Sequence, residues 1–261
     1  MGALPATKSL TNNIIELSVI DGKISKKPEA RYNKDGSVDK RHSNKVAGVS
    51  SEVYPFDTEE EIKAMIDVFN KHIEEAATNS QRQIACRNKM LFLIGINASL
   101  RASDLITLKW NFFLNEDGTF KELNSLQPKK TKKTGKYVKL FFNEAVKKAI
   151  ANYLEDYPME DMNGYLFESR KGNHITEISL GRIIKGVAEE VGIEKNICSH
   201  SLRKTFGYWA WHNAEDKNKA LVILQKIFNH SDTATTAKYI GITNDEMSDV
   251  FNGLNLGIDY I

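Results

Sequence analysis

The stretch LQKIFNHSDTATTAKYI, residues 224–240, contains two groups suited to chemistry on a phosphate, His230 and Tyr239. A tyrosine hydroxyl can attack phosphorus as a nucleophile, and an imidazole can donate or carry a proton. A single tyrosine on an amphipathic helix is more often part of a protein core. Motifs elsewhere in the chain are therefore needed to distinguish a nucleophilic Tyr239 from a tyrosine of the core.

Two further stretches supply positive charge. SHSLRKTF, residues 199–206, contains His200 and Arg203, which stand three apart and would share one face of a helix. NASLRASDL, residues 97–105, contains Arg101. A guanidinium stays charged at physiological pH and presents planar donors that match the anionic oxygens of a phosphate. With the histidine and tyrosine of the first stretch, these groups can hold and attack a phosphodiester, and this chemistry needs no metal or cofactor.

The order of these residues is an arginine, then His-x-x-Arg, then a histidine, and a tyrosine nine residues after it. This order resembles the tyrosine recombinase, or phage integrase, family, and the resemblance covers roughly residues 54 to 245. It implies the catalytic-domain fold of that family, a mainly helical α+β structure whose small antiparallel sheet carries a lysine-rich hairpin. It also implies an integrase-type recombinase of the kind found in mobile elements. Such an enzyme cleaves and rejoins DNA at specific sites through a 3′-phosphotyrosine intermediate.

The resemblance implies a catalytic role for each group. Tyr239 would be the nucleophile, and Arg101 and Arg203 would hold the nonbridging oxygens of the scissile phosphate. His200 would assist proton transfer at the tyrosine, and His230 would form a hydrogen bond to the phosphate.

Two motifs depart from the usual family pattern. The first motif is commonly Gly-Leu-Arg-x-Ser-Glu-Leu, whereas this chain has Ser99 in place of the glycine and Asp104 in place of the glutamate. Because a carboxylate is kept, we expect Asp104 to support the site. Family members usually have Leu-Gly-His where this chain has Phe228, Asn229 and His230. The histidine is kept, and the replaced glycine bears on the local backbone geometry.

A lysine-rich segment runs from Lys121 to Lys139, where seven lysines stand against the single acid Glu122. Such a concentration of charge suits DNA phosphates, although a run of this kind alone is more often a solvated hairpin tip. The family places on this hairpin a lysine that protonates the departing 5′ oxygen. Lys133 fits that place best, and Lys130 is the alternative. The lysines predicted to contact DNA are Lys129, Lys130, Lys132 and Lys136.

Composition excludes several other classes of protein. A chain of 261 residues with 41% hydrophobic content carries one large domain or two small ones and is not disordered throughout. Cys86 and Cys198 form no paired motif, so neither a disulfide framework nor a cysteine-rich zinc site is expected. The longest apolar run, near residues 90–96, is too short to span a membrane, and the start of the chain lacks a secretion signal. We therefore expect a cytoplasmic protein, associated with the nucleoid if bacterial. The net charge of +2 gives no overall nucleic-acid signature.

The chain is predicted to have three parts. Residues 1–52 are polar, basic and rich in turn formers, which is typical of an arm or linker with at most a short strand near residues 13–20. Residues 53–243 would form the catalytic domain. Residues 244–261 carry apolar side chains at helical spacing and would form a tail helix that packs on its own domain or is exchanged between subunits. Most members of the family have a helical core-binding domain before the catalytic one, so this chain is either a minimal recombinase or a catalytic fragment.

Apolar spacing, caps and turn residues predict the elements of the domain. Thr58 and Glu61 indicate a capping box, Asn143 a helix start, and Gly192 a helix end. Residues 120–142 are predicted to form strands joined by a hairpin, and residues 165–168 a short strand. Two helices are predicted to start at residues 58 and 103. Six more are predicted to cover residues 82–97, 143–154, 177–191, 201–213, 217–229 and 232–240.

Recombination requires two duplexes and four active sites. The resemblance therefore implies double-stranded DNA as the partner and a homotetramer on it, with a monomer allowed when free and accessory DNA-bending proteins in some systems. Two alternatives are a catalytically inactive DNA-binding regulator on the same scaffold and an enzyme with the activity of type IB topoisomerases, which share the tyrosine chemistry. A covalent protein–DNA adduct would exclude the first, and strand exchange between two partners would exclude the second. A helical interaction protein with accidental motif matches is disfavoured by the joint order and spacing of the motifs.

Overall fold

The chain divides into two compact units, Met1–Ser51 and Glu52–Ile261, and each is described by itself. In the first unit, strand β1 (Leu17–Ile20) pairs antiparallel with strand β2 (Lys23–Lys26). The sequence predicted no more than one strand in this region. The structure is a computed structural model, and it describes these two strands together with residues 52–129, 135 and 137–241.

The described part of the second unit is mainly helical, with one small antiparallel sheet, and this confirms the predicted fold class. No helix among these residues has the length and apolar character that a bilayer crossing requires. The helices are α1 (Glu59–Glu74), α2 (Asn79–Asn97), α3 (Ala102–Leu105), α4 (Trp110–Phe113), α5 (Glu144–Asp156), α6 (Glu177–Val191), α7 (Ser199–His212), α8 (Lys217–Phe228) and α9 (Thr233–Ile240).

Side-chain caps explain where several helices begin. The Thr58 hydroxyl accepts a hydrogen bond from the backbone N–H of Glu61 at 3.1 Å, so the predicted start of α1 is confirmed. Helix α2 begins three residues earlier than predicted, at Asn79. The reason is a reciprocal capping box, in which Thr78 and Gln81 each satisfy a backbone donor of the other.

The sheet of the second unit lies between α4 and α5 in the chain. Strand β3 (Leu123–Leu126) pairs antiparallel with strand β4 (Val138–Phe141), with Leu126 opposite Val138. The predicted strand at residues 165–168 is wrong. Its two ends form single bridges to different segments, Tyr165 to Lys109 and Glu168 to His174, so the stretch is extended without joining a sheet.

The core surrounds α2, which packs against α1, α5 and α7. Leu91, Phe92 and Ile94 of this helix have no solvent-exposed surface. Gly95 lets α7 approach closely, because a Cβ atom at this position would lie 2.7 Å from Leu202 Cδ1. The central helix therefore fixes the position of α7, which carries two of the predicted site residues.

A second, smaller apolar cluster holds α8 and α9 against α7. Its buried members are Leu224, Phe228 and Ile240. Gly207 on α7 makes the contact possible, since a Cβ atom there would lie 2.5 Å from Ile240 Cγ2 and 2.8 Å from Phe228 Cζ. This close packing sets where α9, the helix with the predicted nucleophile, sits relative to α7.

Candidate active site

Residues from four separate parts of the chain approach each other near the small apolar cluster. Arg101 immediately precedes α3, Arg203 lies on α7, His230 follows α8, and Tyr239 lies on α9. Arg101 and Arg203 line one cavity, Phe228 packs against both Arg203 and Tyr239, and the ring centroids of His230 and Tyr239 lie 5.1 Å apart. The structure thus brings these four predicted residues together.

Arg203 is buried, with 7% of its surface exposed. One of its terminal nitrogens donates to the Phe228 carbonyl oxygen at 3.3 Å, and its guanidinium lies 4.8 Å from the centre of the Phe228 ring. Burial lowers the pKa of Arg203 to about 10. The guanidinium is still charged at neutral pH, and a buried charge of this kind interacts strongly with an approaching anion.

The ring of Tyr239 packs against two other rings, which also contact each other. Its centroid lies 5.2 Å from that of Phe228 and 5.1 Å from that of His230, and both pairs are edge-on. Burial raises the pKa of the Tyr239 phenol, while the charges of Arg203 and Arg101 act in the opposite direction. The net shift is upward, so the phenol is protonated at neutral pH and has to lose its proton when it attacks.

His230 is held by Thr236, one turn into the next helix. The His230 Nδ1 atom lies 3.1 Å from Thr236 Oγ1, and that hydroxyl can donate its single proton to the Asp232 carbonyl oxygen at 3.2 Å. The tautomer of His230 depends on which acceptor takes the Thr236 proton: when Thr236 donates to Nδ1 instead, the neutral ring carries its proton on Nε2, which can donate to an anionic oxygen. Burial, followed by the charges of Arg203 and Arg101, lowers the pKa of His230.

His200 is in a different environment from His230. It is exposed, in the first turn of α7. Hydrogen bonding to Cys198 raises the pKa of His200, and the more distant Glu177 acts in the same direction, whereas burial and Arg203 lower it. His200 therefore keeps its proton to a higher pH than an ordinary histidine and shares the electrostatic field of Arg203.

Asp104 links the first arginine motif to the lysine-rich segment. Its carboxylate is buried and accepts a hydrogen bond from the backbone N–H of Lys129 at 2.9 Å. Lys129 itself is exposed. Asp104 thus ties the beginning of the hairpin to the helix that follows Arg101. The other predicted hairpin residues, Lys130, Lys132, Lys133 and Lys136, lie outside the described residues.

A cavity of about 210 Å³ opens beside the two arginines. Arg101, Arg203 and Lys226 contribute positive charge to its wall, Asp104 contributes one negative charge, and Tyr137, just before β4, also lines it. A larger cavity of about 870 Å³, next to Arg87, contains none of these residues. The smaller cavity is the one with the charge to accept a phosphate.

Comparison with known proteins assigns the chain to a family. The family model described as the phage integrase family matches residues 57–246. The chain belongs to the phage integrase family. A phage integrase relative from Bacillus subtilis (strain 168), named "Probable integrase/recombinase YoeC", is 37% identical over 172 residues, which are 64% of this chain and 86% of that protein. Tyrosine recombinase XerD of Oceanobacillus iheyensis is 25% identical over 169 residues, 65% of this chain. The match covers 54% of the length of that XerD.

Solved structures of this family share the fold. XerH site-specific recombinase, bound to palindromic difH substrate in a post-cleavage complex, aligns with a TM-score of 0.56 at 19% identity. That alignment covers 77% of this chain and 53% of XerH. XerA recombinase aligns with a TM-score of 0.55 at 21% identity, over 78% of this chain and 66% of XerA.

The two glycines that this phage integrase chain lacks stand where the backbone is left-handed. Ser99 has φ of 51° and Asn229 has φ of 55°, and they are the two non-glycine residues with positive φ in the described part of the chain. The departures from the family motifs therefore keep the backbone shape that glycine would adopt most easily. Asparagine tolerates this conformation better than most residues, and at Asn229 it ends α8 just before His230.

The motifs did not single out three residues that surround this site. Phe228 contacts both Arg203 and Tyr239, Thr236 orients His230, and Lys204 lies against Tyr239. Lys204 follows Arg203 directly in the sequence, and Thr236 belongs to the threonine pair before Tyr239. Adjacency to a motif was the available signal, but it does not tell which neighbours face the site.

Proposed function

We propose that this chain is a site-specific DNA recombinase of the integrase type and that Tyr239 is its nucleophile. The observation that carries the proposal is that two guanidiniums from distant parts of the chain, Arg101 and Arg203, line one cavity, and that Phe228 packs against both the Arg203 guanidinium and the Tyr239 ring. A phenol alone is a weak nucleophile, and two cations near it favour its deprotonated form and the anion that it attacks. Membership of the phage integrase family supports the same chemistry.

The reaction forms one phosphorus–oxygen bond and breaks another. The Tyr239 oxygen attacks the scissile phosphorus, the bond to the 5′ oxygen breaks, and a 3′-phosphotyrosine link results. The phenol proton leaves with the help of His200, and Lys133 gives a proton to the departing 5′ oxygen. A 5′-hydroxyl from the partner strand later attacks the phosphotyrosine and releases Tyr239. The energy of the broken bond is kept in the covalent intermediate, so the transfer needs no ATP.

Arg101 and Arg203 stabilise the charge that grows on the nonbridging oxygens during the attack. Arg203 suits this role because its guanidinium is already fixed by Phe228 and is little solvated, so little reorganisation is needed when the phosphate arrives. Arg101 lines the same cavity as Arg203, so both guanidiniums can bind one phosphate. His230, oriented by Thr236, hydrogen-bonds the phosphate.

Double-stranded DNA is the proposed substrate. XerH is described as bound to difH substrate and the Tn1549 transposon integrase as bound to circular intermediate DNA, and both share this fold. The lysine-rich segment, with Lys129 anchored by Asp104 at its base, supplies phosphate contacts from Lys130, Lys132 and Lys136. Two duplexes are processed by a homotetramer, and residues 244–261 are proposed to pack on their own domain or on the neighbouring subunit.

The deciding experiment traps the covalent intermediate. A library of nicked duplexes with randomised sequence is incubated with the protein, and covalently attached strands are recovered and sequenced. The wild-type protein should form an adduct through Tyr239, whereas Tyr239→Phe should form none while binding the recovered duplex with nearly unchanged affinity. Tyr157→Phe, a hydroxyl deletion in another region of the domain, is the matched control and should form the adduct normally.

Three outcomes would contradict the proposal. An adduct formed by Tyr239→Phe would place the nucleophile elsewhere. Binding of DNA without any adduct from the wild-type protein would favour the inactive regulator. Relaxation of supercoiled plasmid at no specific site, without strand exchange, would favour topoisomerase activity.

A further inference from the structure

Lys204 lies against the nucleophile. It follows Arg203 on α7, only 9% of its surface is exposed, and its Nζ atom lies 5.5 Å from the centre of the Tyr239 ring. A cation over the face of an aromatic ring is attracted by the ring electrons, so this contact orients both side chains. In the reaction proposed for Tyr239, Lys204 has no assigned role.

Within the described part of the chain, the ammonium of Lys204 has no acidic partner. Among the described residues, none accepts a hydrogen bond or forms an ion pair with Lys204, and Glu52 and Cys198 act on it only through their charge. Lys195 provides the contrast, since its half-buried ammonium pairs with Asp57 at 2.6 Å and with Glu61 at 2.7 Å. Burial lowers the pKa of Lys204, as expected for a cation without a counterion. A buried unpaired charge is unfavourable and is kept where a ligand supplies the opposite charge.

We infer that Lys204 is a further catalytic residue, whose ammonium binds an anionic oxygen of the phosphodiester attacked by Tyr239. The inference rests on the proposed function, because the anion is the scissile phosphate itself. The phosphate has to approach the Tyr239 hydroxyl, and Lys204 is the cation held on that ring. Its stem is long and flexible, so the ammonium can leave the ring face and reach an oxygen of the incoming phosphate. In the covalent intermediate it neutralises the phosphotyrosine. Lys204 keeps its proton throughout, and this separates its role from that of Lys133.

The first test measures cleavage. Lys204→Met preserves length and apolar packing but removes the charge, and we expect it to lower the single-turnover rate of adduct formation about 10- to 100-fold, the range for one lost charged contact. Lys204→Arg keeps a cation and should recover part of the rate. Lys185→Met on α6 is the matched control, because Lys185 is exposed and pairs with Glu189, and it should leave the rate unchanged.

The second test counts phosphate contacts. In the Tyr239→Phe background, which cannot cleave, affinity for the duplex recovered by trapping is measured at several salt concentrations. Removing one phosphate contact lowers the slope of log affinity against log salt by roughly 0.9. Lys204→Met should show this decrease, and Lys185→Met should keep the original slope.

The third test separates this role from a structural one. If Lys204 is an unpaired buried cation, Lys204→Met should unfold at a higher temperature than wild type while cleaving more slowly. A lower unfolding temperature together with an unchanged salt slope would overturn the inference and make Lys204 a packing residue. If the wild-type protein forms the Tyr239 adduct and Lys204→Met changes neither the cleavage rate nor the salt slope, the inference about Lys204 is overturned and the proposed function stands. If the wild-type protein forms no adduct, both the proposed function and the inference about Lys204 are contradicted.

Discussion

His200 and His230 differ in their ionisation because their neighbours differ. His230 is partly buried near Arg203 and Arg101, and both burial and charge lower its pKa. His200 lies at the start of α7, where Cys198 raises its pKa most, Glu177 adds to this, and Arg203 opposes it. The pKa values of these two histidines therefore shift in opposite directions. Neutral His230 is suited to a fixed hydrogen bond, and His200 is suited to receiving a proton only as the pH rises.

Replacing Cys198 should shift the pH dependence of cleavage. If His200 accepts the phenol proton, it acts in its neutral form, so the rate rises as the pH passes through its raised pKa. Cys198→Ala removes the largest cause of that raised pKa, so the rise in rate should occur at lower pH. The measurement is the single-turnover rate of adduct formation on a suicide duplex at a series of pH values.

The other free cysteine provides the control for this experiment. Cys86 lies on α2, and Cys86→Ala should leave the pH profile in place. A profile that moves to higher pH in Cys198→Ala, or that does not move, would show that His200 is not the proton acceptor.

At the scale of elements, the site depends on how closely α9 approaches α7. The contact passes through Gly207, where any side chain would collide with Ile240 of α9 and Phe228 of α8. Phe228 also contacts both Arg203 and Tyr239. A displacement of the helices at Gly207 would therefore also move the Arg203 guanidinium and the Tyr239 phenol.

Gly207→Ala should impair cleavage much more than DNA binding. The added methyl group would overlap Ile240 Cγ2 and Phe228 Cζ, so α9 has to move away from α7. A displacement of about 1 Å in a reacting group can reduce a rate about 100-fold, and overpacking of a core destabilises a protein by about 1–3 kcal/mol. Adduct formation, duplex affinity and denaturant unfolding measure the three effects.

Gly186→Ala on α6 is the matched substitution, since no atom lies within 4 Å of a Cβ at that position. It should raise the free energy of unfolding by about 0.5–1 kcal/mol, because alanine favours a helix over glycine, and it should leave cleavage unchanged. Normal cleavage by Gly207→Ala would mean that α9 tolerates the displacement and that its position is not critical.

At the scale of the whole molecule, the two apolar clusters differ in size. The large cluster surrounds α2 and connects most of the described domain, whereas the small one consists of Leu224, Phe228, Ile240 and their partly buried neighbours. The free energy needed to open a region follows the apolar surface that holds it. Helix α9, which carries Tyr239, and the turn with His230 before it therefore rest on the less stable part of the domain, where the proposed nucleophile can be repositioned without unfolding the core.

Hydrogen exchange should reveal this difference. Backbone amides of α9 should exchange well before those of α2, through an opening that does not involve global unfolding. Binding of the trapped duplex by Tyr239→Phe should slow exchange in α9, since DNA contacts hold the helix in place. Equal protection of α2 and α9 in the free protein would show instead that the two clusters unfold as one unit.

The amino-acid sequence by itself determined the family, the mainly helical fold and the set of candidate residues, because caps, apolar spacing and short motifs are local properties that can be read along the chain. Thr58, Asn143 and Gly192 mark helix ends in the structure as they do in the sequence. Tertiary structure decided the rest. The burial of Arg203 against Phe228 and the position of Lys204 over Tyr239 both depend on segments that are far apart in sequence. Distances, desolvation and electrostatic coupling exist only once those segments have packed together, which is why the order of motifs gives candidate residues but not their environments.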